Sequence, residues 1–445
     1  MTKVANFLTE LMRKYLPGPF VFALGLTLLT FVLAVTIQHQ NPIDTIGVWG
    51  DGFWSLLAFT MQVALILAMG FVLANAPLTD RLLDLIVSKV SRPRTAIIVA
   101  TLVGGIGSYL NWGFGLIIGV VIARKLAQEV KGVHYPLIIA SAYSGFTLYG
   151  LGLSATIPLT IATPGHPLEK EMGLIGLGQT IFSPAILVTA VVILVTLPLL
   201  NAMLHPKAGD SVREIDPSLS AETKSARPQS EDFKETTIAS RINNSRILSM
   251  VIGLVGIAYV VINFIRGGTL NLNLINFIFL FLGIILLGTP NLYMAKINEG
   301  VKAIGGIILQ YPFYAGIMAV MAGSGLVLTI SQWFLNISTP RTLPFWGLIS
   351  SFVINYFAPS GGGHWVIQGP FMIDAAHKLG TSLAQTSMAV MMGNAWNDLV
   401  QPFWIIPALA LSKLKLNDIM GYTVIMMVWV GVVYIAAILL WSFLA

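Results

Sequence analysis

Cysteine is absent from the 445-residue chain, which removes disulfides, iron–sulfur clusters and cysteine-based zinc sites together. Charge is nearly as scarce. Lys, Arg, Asp and Glu make up 10% of the residues against 56% hydrophobic ones, with a mean hydropathy of +0.82. Soluble globular domains carry about 25% charged residues, so a water-soluble enzyme is excluded and the chain reads as an integral membrane protein. Enzyme motifs are missing too: there is no H-E-x-x-H, no G-x-S-x-G and no P-loop lysine. Gly361-Gly-Gly-His364 has the residues of an oxyanion-hole motif in reversed order and without a nucleophile elbow. No enzyme activity, catalytic residue or cofactor is therefore expected. The net charge of +6 does not point to nucleic acid, because the basic residues flank apolar runs instead of clustering on a solvated face.

What is present is a series of apolar runs. Val4, Phe7, Leu8, Leu11, Met12 and Tyr15 recur at helical spacing opposite Lys3, Arg13 and Lys14, which predicts an amphipathic surface helix over 1–18. The segment 19–38 is long enough to span and is followed by no small-residue cleavage site, so it is expected to be retained. Further runs near 52–75, 134–162, 176–203, 247–266, 270–288, 303–330, 383–411 and 421–444 bring the expected full crossings to about nine.

Two apolar stretches do not fit as crossings. Residues 95–123 lie between Arg94 and Arg124, too short for two spans, while one span would put two basic ends on opposite sides. A re-entrant hairpin with its tip at Gly104-Gly-Ile-Gly-Ser-Tyr-Leu-Asn111 resolves this. Residues 345–376, interrupted by Pro359-Ser-Gly-Gly-Gly363, form a second such case with arms of 14 and 13 residues. With the N-terminus inside, 21 basic residues fall on the cytoplasmic side and only Lys170, Arg266, Arg341 and Lys378 outside, a bias that supports this orientation. The Ser-, Pro-, Glu- and Lys-rich segment 205–246 reads as a flexible cytoplasmic connector between a first repeat, 19–204, and a second, 247–445.

A displacement of 253 residues sets Trp112 on Trp365, Lys125 on Lys378, Leu126 on Leu379, Ala142 on Ala395 and Tyr143 on Trp396. The order of elements recurs in both halves, yet the first hairpin enters from inside and the second from outside. The expected fold is thus an all-α polytopic membrane protein with two inverted repeats, two re-entrant hairpins and two broken helices, an arrangement suited to alternating access.

Irregular backbone at membrane depth needs protein or a water-filled cavity to satisfy it, so the hairpin tips and broken spans are expected to enclose one polar site. The first broken span carries Ser141, Tyr143, Ser144, Gly145, Thr147 and Tyr149, and the second Gly393, Asn394, Asn397 and Asp398. The glycines of Ser360-Gly361-Gly362-Gly363-His364-Trp365 free backbone N–H groups at a helix start, where a carboxylate is favoured. Ser108, Asn111 and Trp112 at the first tip, with Tyr143, Ser144 and Asn394, complete the expected substrate contacts. Asp398 is the only acid deep in a span and is a functional candidate on that ground. It is expected to take up a proton, or to bind Na⁺, the only metal foreseen, with Asn397, Asn394, Ser141 and Gly145. His364 is a second candidate for proton coupling. No Arg or Lys lies at mid-membrane depth, which favours a small monoanion over a di- or tricarboxylate.

The segments Asn355-Tyr-Phe-Ala-Pro-Ser-Gly-Gly-Gly-His-Trp-Val-Ile-Gln-Gly-Pro370 and Gly393-Asn-Ala-Trp-Asn-Asp-Leu-Val-Gln-Pro402 resemble the bacterial short-chain fatty acid transporter family. So do the Phe7-to-Phe20 stretch and Ser108-Tyr-Leu-Asn-Trp-Gly-Phe-Gly115. The resemblance implies a two-repeat fold of the broad ion-transporter superfamily, homodimeric, moving by an elevator mechanism. It further implies uptake of acetoacetate, butyrate or similar acids across the inner membrane, and it assigns no residue roles. The alternatives are a superfamily relative carrying a larger anion such as a dicarboxylate, or a passive anion channel.

Overall fold

The computed structural model describes residues 18–207, 211–216, 237–302 and 304–444. Among these, all regular structure is helical and there is no strand. The expected surface helix over 1–18 lies, apart from Gly18, outside the described residues, as does most of the 205–246 connector. Proline punctuates the fold. Helices such as Pro19–Thr36, Pro77–Val87, Pro93–Leu110, Pro184–Met203 and Pro402–Ser412 open on it, at a position whose N–H has no intrahelical partner in any case.

Among the described residues, seven helices are long and apolar enough to cross a membrane: Leu57–Ala74, Pro93–Leu110, Tyr135–Ile161 taken through its break, Pro184–Met203, Arg246–Ile265, Gly305–Ser324 and Leu416–Leu444. This differs in detail from the nine expected spans. Residues 19–38 fall short as Phe20–Thr36, and 270–288 become the 16-residue Leu272–Leu287. The run 303–330 stops at Gly325, whose φ of 86° suits glycine, and restarts as Leu326–Ile337. Burial separates lipid-facing from central elements. Arg246–Ile265 is 22% buried within the protein, whereas Tyr135–Ile161 is 94% buried.

The first helical hairpin pairs Pro93–Leu110 with Trp112–Glu129, joined at Asn111 alone. The turn is tighter than the expected eight-residue tip. Asn111 is extended, at φ −154° and ψ 124°, and its side-chain oxygen accepts from the Phe114 N–H at 2.9 Å, capping the second arm. The glycines that suggested a loop are helical, and their role is close approach. A Cβ on Gly119 would lie 3.2 Å from the Gly104 Cα, and one on Gly145 would lie 2.7 Å from the Thr101 carbonyl oxygen while colliding with the Gly105 backbone. The hairpin is thereby locked, backbone to backbone, against the broken span that follows it.

The second hairpin pairs Leu343–Ile354 with Gly361–Leu379, arms of 12 and 19 residues instead of 14 and 13. Gly361, Gly362 and Gly363 form the first helical turn of the second arm, and the helix continues through Pro370. Each hairpin precedes a broken span. Tyr135–Ser144 passes into a 3-10 turn over Gly145–Leu151 and resumes as Thr156–Ile161, while Leu383–Asn397 breaks before Pro402–Ser412. The two breaks meet at the centre. The Tyr143 hydroxyl donates to the Asp398 carbonyl, and Tyr434 on the last helix donates to the Thr147 carbonyl at 2.9 Å.

At one end of the bundle, 211–216 docks on the start of the first broken span. The Tyr135 N–H donates to the Arg213 carbonyl at 2.8 Å, the Arg213 N–H to His134 Nδ1 at 3.1 Å, and the Arg213 guanidinium pairs with Asp418 at 2.7 Å.

Two predictions follow from this packing. Gly145→Val should cost at least about 2 kcal/mol, because the clash is with backbone that cannot rotate away. Gly25→Ala, with open space around it, should cost nothing measurable; thermal unfolding of detergent-purified protein compares them. Partial burial, with His205 and Arg213 nearby, holds the His134 imidazole below its ordinary 6.5. The fold thus prefers the neutral ring, whose Nδ1 accepts from Arg213. Docking of 211–216 is complete above about pH 6.5 and weakens as pH falls. Hydrogen exchange at Tyr135 and Arg213, corrected for intrinsic rates, should show protection lost on acidification.

Candidate substrate and ion site

The tip of the first hairpin is held at mid-depth of the bundle. The Asn111 amide donates to the carbonyl of Ile66, near the middle of Leu57–Ala74, at 3.2 Å, and the Trp112 N–H donates to Ser154 Oγ at 2.8 Å. The second tip reaches the same region, where Ser360 Oγ and Tyr311 Oη are hydrogen-bonded at 2.9 Å. Ser360 stands at the N-cap of Gly361–Leu379, yet its side chain makes no cap bond, since it is turned to Tyr311. The Tyr311 hydroxyl faces the Gly363 N–H in its place, and the N-cap side chain caps neither the Gly361 nor the Gly362 N–H. Cβ atoms on Gly362 and Gly363 would press on Tyr311 and Phe59 and on the Tyr314 ring, respectively, so the glycines also admit aromatic neighbours.

Between the tips lies a pocket lined by Trp112, Phe146, Tyr149, Thr156, Ser360, Gly361 and Trp404, with Val63 and Ile307. One wall is aromatic, with Trp112 and Trp404 edge-on at 5.3 Å and Phe146 at 5.8 Å from Trp404. The other is polar, made by the helix start, Thr156 and Tyr149. No Lys or Arg is among its lining residues. The pocket is pinched to about 10 Å³, close to the minimum for one water.

Behind the pocket, polar side chains of both broken spans and the second hairpin form one buried network. Tyr149 Oη lies 2.7 Å from Asp398 Oδ2, and the Asn355 amide donates to Asp398 Oδ1 at 2.6 Å. The Asn355 amide also reaches Asn397 Oδ1 at 3.1 Å, and Asn394 donates to Asn355 Oδ1. The Asn394 amide lies 3.3 Å from His364 Nδ1, and His364 Nε2 faces Gln368 Oε1 and Ser351 Oγ. That pattern fits a neutral imidazole with its proton on Nε2. His364 thus ties the arms of the second hairpin together and does not line the pocket.

The expected site residues divide into those brought together and those that are not. Ser360, Gly361, Trp112, Asn394, Asn397, Asp398 and Tyr143 meet at or behind the pocket. Ser144 faces away, accepting from Asn201 at 3.0 Å in a separate cluster with Thr101. Ser141 Oγ is buried without a partner among the described residues, and Gly145 is buried against Gly105. Ser108 donates to the Gly104 carbonyl at 2.7 Å, Asn111 is spent on its cap, and Trp365 packs beside Gly369. Asn355, Thr156, Phe146 and Trp404 were not singled out. For Asn355 a signal existed, an amide side chain at the end of a largely apolar arm; for the aromatics none distinguished them from ordinary core.

The sequence pattern described as "Short chain fatty acid transporter" matches residues 1–441. Two curated relatives carry the name "Putative short-chain fatty acid transporter". One, from Escherichia coli (strain K12), is 41% identical over 98% of this chain and 99% of its own length. The other, from Haemophilus influenzae (strain ATCC 51907 / DSM 11121 / KW20 / Rd), is 38% identical over 98% of each. Among solved structures, the Alcanivorax borkumensis YdaH transporter superposes with a TM-score of 0.60 over 96% of this chain and 98% of that one, at 13% identity. That likeness bears on the fold alone. By sequence, the chain belongs to the short-chain fatty acid transporter family, a family of transporters and not of enzymes.

Proposed function

We propose that this protein is a secondary active transporter that takes up short-chain monocarboxylates such as acetoacetate or butyrate across a bacterial inner membrane, coupled to H⁺ or Na⁺. The observation that carries the reading is the pocket between the two hairpin tips. It sets an uncapped helix start and hydroxyls against an aromatic wall, without a basic side chain. The carboxylate is held by amide dipoles at Gly361, and the short alkyl tail lies on Trp112, Phe146 and Trp404.

The proposal includes inverted repeats with re-entrant hairpins, the N-terminus in the cytoplasm, a homodimer and elevator-type movement. Support for the repeats comes from a reciprocal contact. Arg124 and His377, 253 residues apart, each bind a carbonyl in the other half: Arg124 that of Leu411 at 2.9 Å, His377 that of Glu171 at 2.8 Å. The first hairpin tip, which stops at the Ile66 carbonyl near the middle of Leu57–Ala74, supports re-entry. The dimer and the elevator rest on the family resemblance.

Labelled butyrate should accumulate in proteoliposomes, above protein-free liposomes, when an H⁺ or Na⁺ gradient is imposed. Absence of transport for all acids of two to six carbons would sink the substrate reading, and flux indifferent to both gradients would make the protein a channel. Gly361→Ala should weaken apparent butyrate affinity about tenfold, about 1.4 kcal/mol. Its methyl points to Thr156 and Asn394 with contacts of 3.2 and 3.6 Å, so the fold should tolerate it.

A further inference from the structure

Hydrogen atoms can be counted in the buried network. Tyr149 Oη lies 2.7 Å from Asp398 Oδ2 and 2.7 Å from Asn394 Oδ1, and a phenol has one proton to give. The neighbours fix which end of each amide faces the tyrosine. The Asn394 nitrogen is engaged with Asn355 Oδ1 and His364 Nδ1, and the Asn355 nitrogen with Asp398 Oδ1 and Asn397 Oδ1. If Asp398 were ionised, one of the two close contacts at Tyr149 would join two oxygens with no hydrogen between them. Asp398 is wholly buried, so the unmatched contact would stand in a low-dielectric interior where it is costly. One hydrogen on Asp398 Oδ2 completes the set: the acid donates to Tyr149, and Tyr149 donates to Asn394.

We propose that Asp398 is the proton carrier of this transporter, protonated when the two broken spans are closed on each other, with its O–H···Tyr149–O–H···Asn394 chain as the latch between them. This rests on the uptake reading above and decides its coupling ion. The step is a proton transfer only. A hydronium ion on the outer side gives its proton to the carboxylate and leaves as water, the halves close, and on the inner side the O–H bond breaks with the proton passing to water as hydronium, where the ionised acid and Tyr149 no longer have enough hydrogens to satisfy both close contacts. One carboxylate anion and one proton then cross as a neutral pair.

The groups that face Asp398 suit a proton better than Na⁺. From the first broken span come Tyr149 and Tyr143, the latter on the Asp398 carbonyl; from the second hairpin come Asn355 and, one asparagine removed, His364. Tyr434 of the last helix is held by Thr147. Among the described residues no Lys, Arg or further acid pairs with the carboxylate. A Na⁺ ion would need several oxygens converging on one point, whereas Oδ1 faces the Asn355 N–H and Oδ2 faces the Tyr149 hydroxyl.

Asp398→Asn tests the latch, since an amide in the same place can donate to Tyr149 and accept from Asn355. The variant should stay folded, with a thermal unfolding midpoint close to that of wild type, while accumulation driven by a pH gradient falls at least tenfold. Infrared spectra of the purified proteins at pH 7 should contain the carbonyl stretch of a protonated carboxylic acid in wild type and lack it in Asp398→Asn. Wild-type spectra without that band, accumulation by the variant on a pH gradient, or wild-type accumulation driven by Na⁺ alone would each overturn the proposal. The spectrum needs no substrate. A wild type that shows the band but moves no short-chain acid therefore defeats the substrate assignment and leaves the carrier assignment standing.

Discussion

A helix broken at membrane depth frees amide and carbonyl groups that lipid cannot satisfy, each at several kcal/mol, and the centre of this fold is arranged around that constraint. The two breaks satisfy one another. Tyr143 and Thr147 of the first span donate to the carbonyls of Asp398 and Ala395 in the second, Asn355 reaches the Asn394 carbonyl, and Gln401 returns to the Asn355 carbonyl at 3.0 Å. Neither half could leave its span broken without the other. A central interface obligatory in this way is also one that can be switched, because a single hydrogen gained or lost changes how many partners are available.

The same constraint explains the glycines. Bringing broken segments within hydrogen-bond range requires backbones to approach more closely than side chains allow, and in membranes small residues are the means. Gly104, Gly105, Gly119 and Gly145 lie on facing backbones of the first hairpin and its broken span, Gly150 faces Ala395 across the two halves, and Gly393 faces the Leu348 carbonyl. Loss of any one would separate groups that depend on that approach, so packing and polar satisfaction are one requirement here.

Much of this was legible in the sequence, and the residues show where legibility stopped. Scarce charge made Asp398 conspicuous, and the structure sets it in the central network. The order of hairpin and broken span, seen first in glycines, prolines and short apolar runs, recurs in both halves of the fold. The first tip was placed too broadly because glycine signals both a turn and a close contact. Gly104 and Gly107 serve contact, while the turn is made by Asn111, whose capping ability was the better clue. Gly325 reversed the error, as one glycine in a long apolar run proved to be a true break. Ser144 could not be sorted from Tyr143, its neighbour on the first broken span, because the side each faces depends on the turn tightening to 3-10 at Gly145. Pairing across the halves, such as Tyr149 with Asp398, is set by tertiary contact over 249 residues and has no local signature.

Charge economy links the pocket to the network behind it. An anion bound by Arg or Lys at this depth would require a cation buried permanently, costly when the site is empty and slow to release when full. Amide dipoles and hydroxyls bind a monocarboxylate more weakly and need no counter-charge in the empty protein. A buried acid behind the pocket then has a definite electrical consequence. Neutral, it leaves the pocket attractive to an anion; ionised, it repels one in the same low-dielectric space. On the proton-carrier proposal, substrate release and proton release would therefore favour each other, with the coupling set by the place of Asp398 in the network next to the pocket and not by any contact between proton and substrate.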